Sequence, residues 1–274
     1  MITRFGRCLF VLLLLGCDPP DPQPQARGIR IASLSPALTM TLVQIGIEDK
    51  IVARSAFCRN VDALPVVGDL QHIDAEQLVR VRPTHVCTQR RADSIDPKLL
   101  ELAHKHGWTV ISQPLIGLGD VDDLLATLPE QFPQKRVIER CSELRAALRR
   151  ALQPADIAQR PRVLIVGGGD TPLAWGAETY LGELVAAAGG DNLISGRVWR
   201  SCSLEEIARY SPDLVIVPSE SESIDISGLV AAVGEERIRP LVFKDIKIPG
   251  PHLALLAEPL RGVLFTHAAY SEAP

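Results

Sequence analysis

Short apolar runs alternate along the chain with longer stretches in which apolar positions recur every three or four residues. Arg30-Ile31-Ala32-Ser33-Leu34, His85-Val86-Cys87-Thr88, Thr109-Val110-Ile111-Ser112, Val163-Leu164-Ile165-Val166 and Leu214-Val215-Ile216-Val217 carry apolar residues at successive positions, so both faces need cover. That pattern predicts buried strands of a parallel sheet rather than strands with one wet face. Between them, helices announce their ends. Ser35 before Pro36 is an N-cap with Pro at the first helical position, Leu38, Leu42 and Ile45 form one face, and Gly46 suits the C-terminal end. Strands alternating with helices predict an α/β fold.

The chain also repeats itself. Residues 74–86 (Asp-Ala-Glu-Gln-Leu-Val-Arg-Val-Arg-Pro-Thr-His-Val) lie without a gap over residues 203–215 (Ser-Leu-Glu-Glu-Ile-Ala-Arg-Tyr-Ser-Pro-Asp-Leu-Val). Each copy opens as a capping box, Asp74 with Gln77 and Ser203 with Glu206. Each then runs through a short helix to an Arg, stops at a Pro and enters a strand. Two lobes of one design follow, residues 28–130 and 156–274. The intervening residues 131–155 carry no strand pattern, and Val137, Cys141, Leu144, Leu148 and Leu152 form one face of a helix over about residues 134–152. At 1.5 Å per residue it reaches about 28 Å, enough to join two lobes. A single stiff connection predicts little hinge motion.

Composition and charge narrow the partners. With 46% apolar and 23% charged residues among 274, and with neither a glycine period nor a heptad run, the chain is globular rather than disordered or fibrous. A net charge of −4 without a basic stripe leaves nothing to neutralise the phosphates of a nucleic acid, so that partner class is excluded. Arg4 and Arg7 precede an apolar run at residues 8–15, far short of the roughly 20 residues a membrane span needs, so the segment reads as a signal peptide. Leu14-Leu15-Gly16-Cys17 resembles the lipobox of bacterial lipoproteins, in which the Cys is lipidated and becomes the first mature residue. Residues 1–16 are then the signal, and residues 17–27, rich in Pro, an extended tether. The expected location is periplasmic or on the outer face of the cytoplasmic membrane, lipid-anchored through Cys17. Cys58, Cys87, Cys141 and Cys202 match no zinc or CxxC spacing and read as small core residues, with no essential disulfide.

Several motifs, taken in order, carry a family resemblance. They are Ser33-Leu34-Ser35-Pro36-Ala37, Val67-Gly68-Asp69, the Glu76 helix ending in Arg82-Pro83-Thr84-His85-Val86, Gly176-Ala177-Glu178-Thr179-Tyr180-Leu181-Gly182-Glu183-Leu184, Ala188-Gly189-Gly190-Asp191-Asn192 and Pro249-Gly250-Pro251. Over about residues 28–266 the chain resembles the metal-chelate solute-binding proteins of bacterial ABC importers, the helical-backbone class of vitamin B12, iron-siderophore and haem receptors. The resemblance implies two Rossmann-like lobes joined by one long interlobe helix, with the ligand cleft between the lobes. It also implies that one Glu per lobe docks onto an ABC permease dimer served by its ATPase. Here those positions are Glu76 and Glu205, which the internal repeat pairs independently. Matched charges suit a two-fold partner. The chain is expected to act as a monomer, without a cofactor, on a metal-chelate cargo such as an iron-siderophore or a cobalamin.

Open α/β sheets bind ligands at loops after strand ends. In the first lobe these loops carry Ser35 and Pro36, Phe57, Leu70-Gln71-His72, and Gln89 with Arg90 and Arg91; in the second, Asp170 to Leu173, Trp175, Trp199-Arg200, Ser219-Glu220 and His252. Arg90, Arg91 and Arg200 suit an anionic chelate, Phe57 and Trp199 suit stacking on a ring, and His72 suits a bound metal. Leu70 and Leu173 stand where vitamin B12 receptors carry aromatics, and with only three Trp, three Tyr and six Phe in the chain a polar or anionic chelate is favoured. Enzyme signatures are missing: Gly167-Gly168-Gly169 lacks the spacing of a dinucleotide loop, and no GxSxG or HExxH occurs. A membrane-anchored sensor or scaffold with the same fold is the alternative to transport.

Overall fold

The computed structural model describes residues 28–157, 159–169 and 172–271, with side chains through residue 265. The signal, the tether with Cys17, and Asp170 and Thr171 of the expected cleft loop lie outside the described residues.

The first lobe runs β1 (Ile31–Ser33), α1 (Pro36–Gln44), β2 (Ile51–Arg54), α2 (Ala75–Arg80), β3 (His85–Thr88), α3 (Pro97–His106), β4 (Thr109–Ser112) and α4 (Leu118–Gln131). Its sheet is parallel in the order β2-β1-β3-β4. Helix α5 (Lys135–Ala151) leads to the second lobe: β5 (Arg162–Ile165), β6 (Leu173–Trp175), α6 (Tyr180–Ala187), β7 (Asp191–Asn192), β8 (Trp199–Ser201), α7 (Leu204–Tyr210), β9 (Leu214–Ser219), α8 (Ser227–Val233), β10 (Ile238–Val242) and α9 (Ala257–Ser271). There the parallel order is β10-β9-β5-β7, and β6 pairs antiparallel with β8 as a separate ribbon. The strands read from the sequence are β1, β3, β4, β5 and β9. Both β2 and β10 escaped that reading, because β2 alternates buried and half-buried residues and β10 carries Pro240, which an edge tolerates; β4, expected to be buried on both faces, is instead an edge strand that is half-buried to exposed along its length.

The internal repeat is a structural unit. Asp74 accepts from the Gln77 N–H and Ser203 from the Glu206 N–H, so α2 and α7 begin alike. They end alike too, because the superposed residues Arg82 and Ser211 both adopt the left-handed conformation, at φ 46° and 47°. The exposed carbonyls are then taken up by an Arg at the start of the strand beside each. Arg30 donates to the Val81 and Arg82 oxygens at 2.8 and 3.0 Å, and Arg162 to the Tyr210 and Ser211 oxygens at 2.8 and 3.0 Å. One expectation needs correction. Neither third-position side chain closes a capping box: the Asp74 N–H donates to the Val67 carbonyl instead of to Gln77, and Glu206 turns to Arg200, 2.7 Å away, because a cation offers a charge-assisted bond.

Strand alternation sends side chains to two different places. Ala32 and Val86 pack outward with Leu78 of α2 and Leu99 of α3, and Leu164, Val166, Val215 and Val217 pack outward with Ile207 of α7 and Leu229 of α8. Their neighbours Ile31, Cys87, Val163, Ile165, Leu214 and Ile216 point inward, into one cluster that both lobes share. Helices α1, α4, α5, α6 and α9 close this shared core. Val137, Cys141, Leu144 and Leu148 of α5 are buried in it, and Asp122 of α4 holds Arg145 at 2.9 Å and Arg149 at 3.2 Å. All four described cysteines are free and buried, and burial pushes the Cys87 thiol up to about 12.

Polar ties also cross between the lobes. The Leu118 N–H at the start of α4 donates to Glu183 Oε2 of α6 at 2.6 Å, and the Tyr180 N–H donates to the Ile116 carbonyl at 2.8 Å. Arg197 meets Asp120 at 2.5 Å, and Arg59 meets Glu220 at 2.7 Å and Asp245 at 3.3 Å. Burial between the lobes pushes the Glu183 carboxyl above its ordinary 4.5. A raised folded value means that this group favours the fold most below pH 4.5 and that its contribution fades as the pH rises through the folded value. In urea unfolding, wild type should therefore gain on Glu183→Gln at pH 4 relative to pH 7, and a pH-independent gap would contradict this. Glu183→Ala, which leaves the start of α4 without its acceptor, should cost about 1 kcal/mol.

Candidate functional site

A cleft of about 510 Å³ lies between the lobes, walled by Pro36, Leu70, Gln89 and Leu115 of the first and by Leu173, Trp175, Tyr180, Trp199, Lys247 and Ile248 of the second. Local chemistry explains how each wall is held.

Ser35 lies beneath the surface, fully buried, and acts through its neighbours. Its hydroxyl caps α1 by accepting from the Leu38 N–H at 3.3 Å and donates to Gln89 Oε1 at 2.6 Å. Gln89 Nε2 reaches the Leu115 carbonyl at 3.4 Å, so the amide at the end of β3 is oriented from both ends. Leu70 is offered by a tight loop. The Gln71 and His72 N–H groups donate to Asp69 Oδ1 at 2.7 and 2.8 Å, and the Asp69 N–H donates to the His72 carbonyl at 2.8 Å. At Gly68, φ is 138° and a Cβ would strike the His72 carbonyl, so the turn requires glycine.

The second wall follows from a period of two. On the β6–β8 ribbon Trp175 pairs with Trp199 and Ala174 with Arg200, which puts Leu173, Trp175 and Trp199 on one face and Arg200 on the other. Leu173 is exposed to the cleft, whereas Trp175 is nearly covered and donates from Nε1 to the Tyr180 hydroxyl at 3.4 Å. The Tyr180 and Trp199 rings lie 6.2 Å apart, tilted by 46°, and burial pushes the Tyr180 phenol up to about 12. Gly168 leaves the wall thin, since a Cβ there would lie 2.6 Å from the Asp225 carbonyl.

Of the residues singled out from the sequence, the structure gathers Pro36, Leu70, Leu173, Trp175 and Trp199 in the cleft, together with Gln89. Others stand elsewhere. Arg200 is held at 2.7 Å by both Glu206 and the Tyr210 hydroxyl, Arg91 lies against Asp93 at 3.2 Å, and Arg90 does not line the cleft. Phe57 is 65% exposed outside the cleft. His72 borders a separate depression beside Asp69, Asp74 and Glu76, and exposed Gln71 lines neither space. His252 lies behind the cleft, its Nε2 3.1 Å from the Asp245 carbonyl, while burial lowers its pKa. Sequence reasoning missed Leu115, Tyr180, Lys247 and Ile248. Lys247 and Ile248 directly precede the Pro249-Gly250-Pro251 motif, and that adjacency was the available signal.

Outside the cleft, Glu76 sits in the first turn of α2, with its side chain 82% exposed, 2.7 Å from Arg80. Glu205 sits exposed in the first turn of α7, its carboxyl held below the ordinary range by its own backbone N–H and then by Ser203.

Relatives share this design. The chain is 24% identical over 216 residues to the high-affinity heme uptake system protein IsdE of Staphylococcus aureus, covering 75% of this chain and 73% of that protein. Its fold matches the periplasmic vitamin B12 binding protein BtuF of Vibrio cholerae, with a TM-score of 0.69 and 17% identity over 87% of this chain and 97% of the other. It also matches the periplasmic heme-binding protein RhuT from Roseiflexus sp. RS-1 at 0.66 and 20% identity, over 88% and 99%. These homologues are transport components rather than enzymes. With a family model described as periplasmic binding protein matching residues 31–231, most of its length, this chain belongs to the periplasmic binding protein family.

Proposed function

We propose that this protein is the solute-binding component of an ABC importer, and that its cleft takes a metal chelate with a broad apolar face, of the haem or corrinoid class. The observation that carries this reading is the make-up of the cleft: Leu70, Leu115, Leu173, Trp175, Trp199 and Ile248 form its walls, and Lys247 is the charged side chain among the described lining. Such walls gain most from a flat apolar cargo, since burial is worth about 25 cal/mol per Å² and rings add a preference for stacked faces. A single cation then fixes which edge of the cargo enters. The three arginines expected to hold an anionic siderophore do not line this space, which moves the reading toward a macrocycle. The names of the relatives, heme uptake and vitamin B12 binding, agree with that chemistry.

Glu76 and Glu205 occupy matched places on repeated helices and serve, on this reading, as the permease contacts, one per lobe. Export follows from the family, and Cys17 is the proposed point of lipid attachment.

Haemin or cyanocobalamin should quench the tryptophan fluorescence of the purified protein, and quenching by neither would end the reading. Lys247→Glu should weaken haemin binding about tenfold or more, roughly 1.4 kcal/mol, because a propionate would then meet a like charge. The double reversal Glu76→Lys with Glu205→Lys should abolish uptake into cells while leaving that quenching intact; unchanged uptake would discard the docking assignment. Metabolic labelling with a fatty acid should mark the wild type and not Cys17→Ala.

A further inference from the structure

Binding a metal chelate leaves open whether the protein itself supplies a ligand to the metal. The cleft lining bears on that question directly. Among its described residues are no His, Cys, Met, Asp or Glu, and no described group of three His, Cys, Asp or Glu side chains anywhere could hold a metal ion. The side-chain lone pairs that do face the cleft belong to Tyr180 and Gln89. The Tyr180 oxygen accepts from Trp175 Nε1 at 3.4 Å, and its ring is fixed 6.2 Å from that of Trp199. Gln89 Oε1 accepts from the buried Ser35 hydroxyl at 2.6 Å. Lys247 as an ammonium has no lone pair to give.

We propose that the cleft holds its chelate by the faces and one edge without a protein ligand, so that a cargo whose metal is already coordinatively saturated binds as well as one with an open position. The inference rests on the metal-chelate reading of the cleft and narrows it. A cargo with both axial positions filled, such as a six-coordinate corrinoid or a haem carrying two small-molecule ligands, loses nothing on entering. A chelate with an open position gains nothing there beyond contact with the walls, because among the described lining residues the Tyr180 and Gln89 oxygens are already engaged by Trp175 and Ser35. Specificity then lies in shape, in the Leu70–Leu173 gap and in the placement of Lys247, rather than in the metal's bonding preference.

The test compares cargoes that differ in axial occupancy, with the anionic cyanide and neutral imidazole forms separating occupancy from charge. Haemin, dicyanohaemin and bis-imidazole haemin are titrated into the purified full-length protein with tryptophan quenching and absorption recorded together, and cyanocobalamin is titrated alongside. The expected result is dissociation constants for the three haem species that agree within about threefold, and no new Soret position or charge-transfer band on binding haemin. Tyr180→Phe should leave the absorption spectrum of bound haemin unchanged, and Gln89→Leu should do the same should the tyrosine variant fold poorly. The proposal is overturned if filling the axial positions weakens binding by about tenfold or more, the loss expected when a protein ligand is displaced. It is equally overturned if haemin acquires a spectrum that either variant abolishes. Quenching by none of the four would instead count against the metal-chelate reading itself, so the two failures are distinct.

Discussion

The inner faces of both sheets bury their side chains in a single hydrophobic cluster, and the rest of the molecule is arranged around that shared core. Ile31 and Cys87 from one lobe and Val163, Ile165, Leu214 and Ile216 from the other belong to it, with α4, α5 and α9 laid across the junction. Swinging the lobes apart would return part of this surface to water at about 2.5 kcal/mol for every 100 Å². Proteins have only some 5–15 kcal/mol of total stability to draw on, so a wide hinge motion is out of reach without local unfolding. The polar ties from Glu183 and Arg197 to the start of α4, and from Arg59 to Asp245, add direction to that constraint. The shared core therefore predicts a cleft whose shape changes little when cargo arrives.

Within the gap, what a cargo meets is decided by register. A strand presents alternate residues to opposite faces, so Leu173 and Trp199 look into the cleft while Arg200, one position on, is committed to Glu206 and Tyr210. A slip of one residue would exchange an aromatic wall for a charged one. The first lobe reaches the same precision by a different route, through a hydroxyl buried under the floor. Ser35 serves as helix cap and as hydrogen-bond donor to Gln89 at once, so the geometry of α1 and the orientation of the cleft amide cannot be changed separately.

Much of the frame is legible in the sequence, because its causes are local. Central strands carry apolar residues at successive positions, α5 repeats its apolar residues with helical spacing, and the caps Ser35, Asp74 and Ser203 each act within three residues. The edge strands β2 and β10 are harder to see, since one side of an edge meets solvent and the pattern dilutes. The site is legible only in part. Leu70, Leu173, Trp175 and Trp199 follow from their places at strand ends and on the ribbon. Arg91, Arg200 and His72 mislead because a charged or polar side chain goes where its partner stands, and Asp93, Glu206 and Asp69 stand within a few residues of them, outside the cleft lining. Lys247 lies in an irregular stretch next to Asp245, which adopts φ 58° near its ion pair with Arg59, and no periodicity marks such a segment.

The rigidity of the shared core has a consequence for traffic. A binding protein that closes around its cargo offers its permease a different outline when loaded than when empty. Two lobes held on one shared core would present nearly the same outline in both states, with Glu76 and Glu205 at the same places on their helices. Under the proposed docking role, empty and loaded molecules would compete for one docking surface on equal terms. Under the proposed transport role, uptake would track the fraction of molecules carrying cargo rather than the number carrying it, and an excess of empty protein would act as a brake.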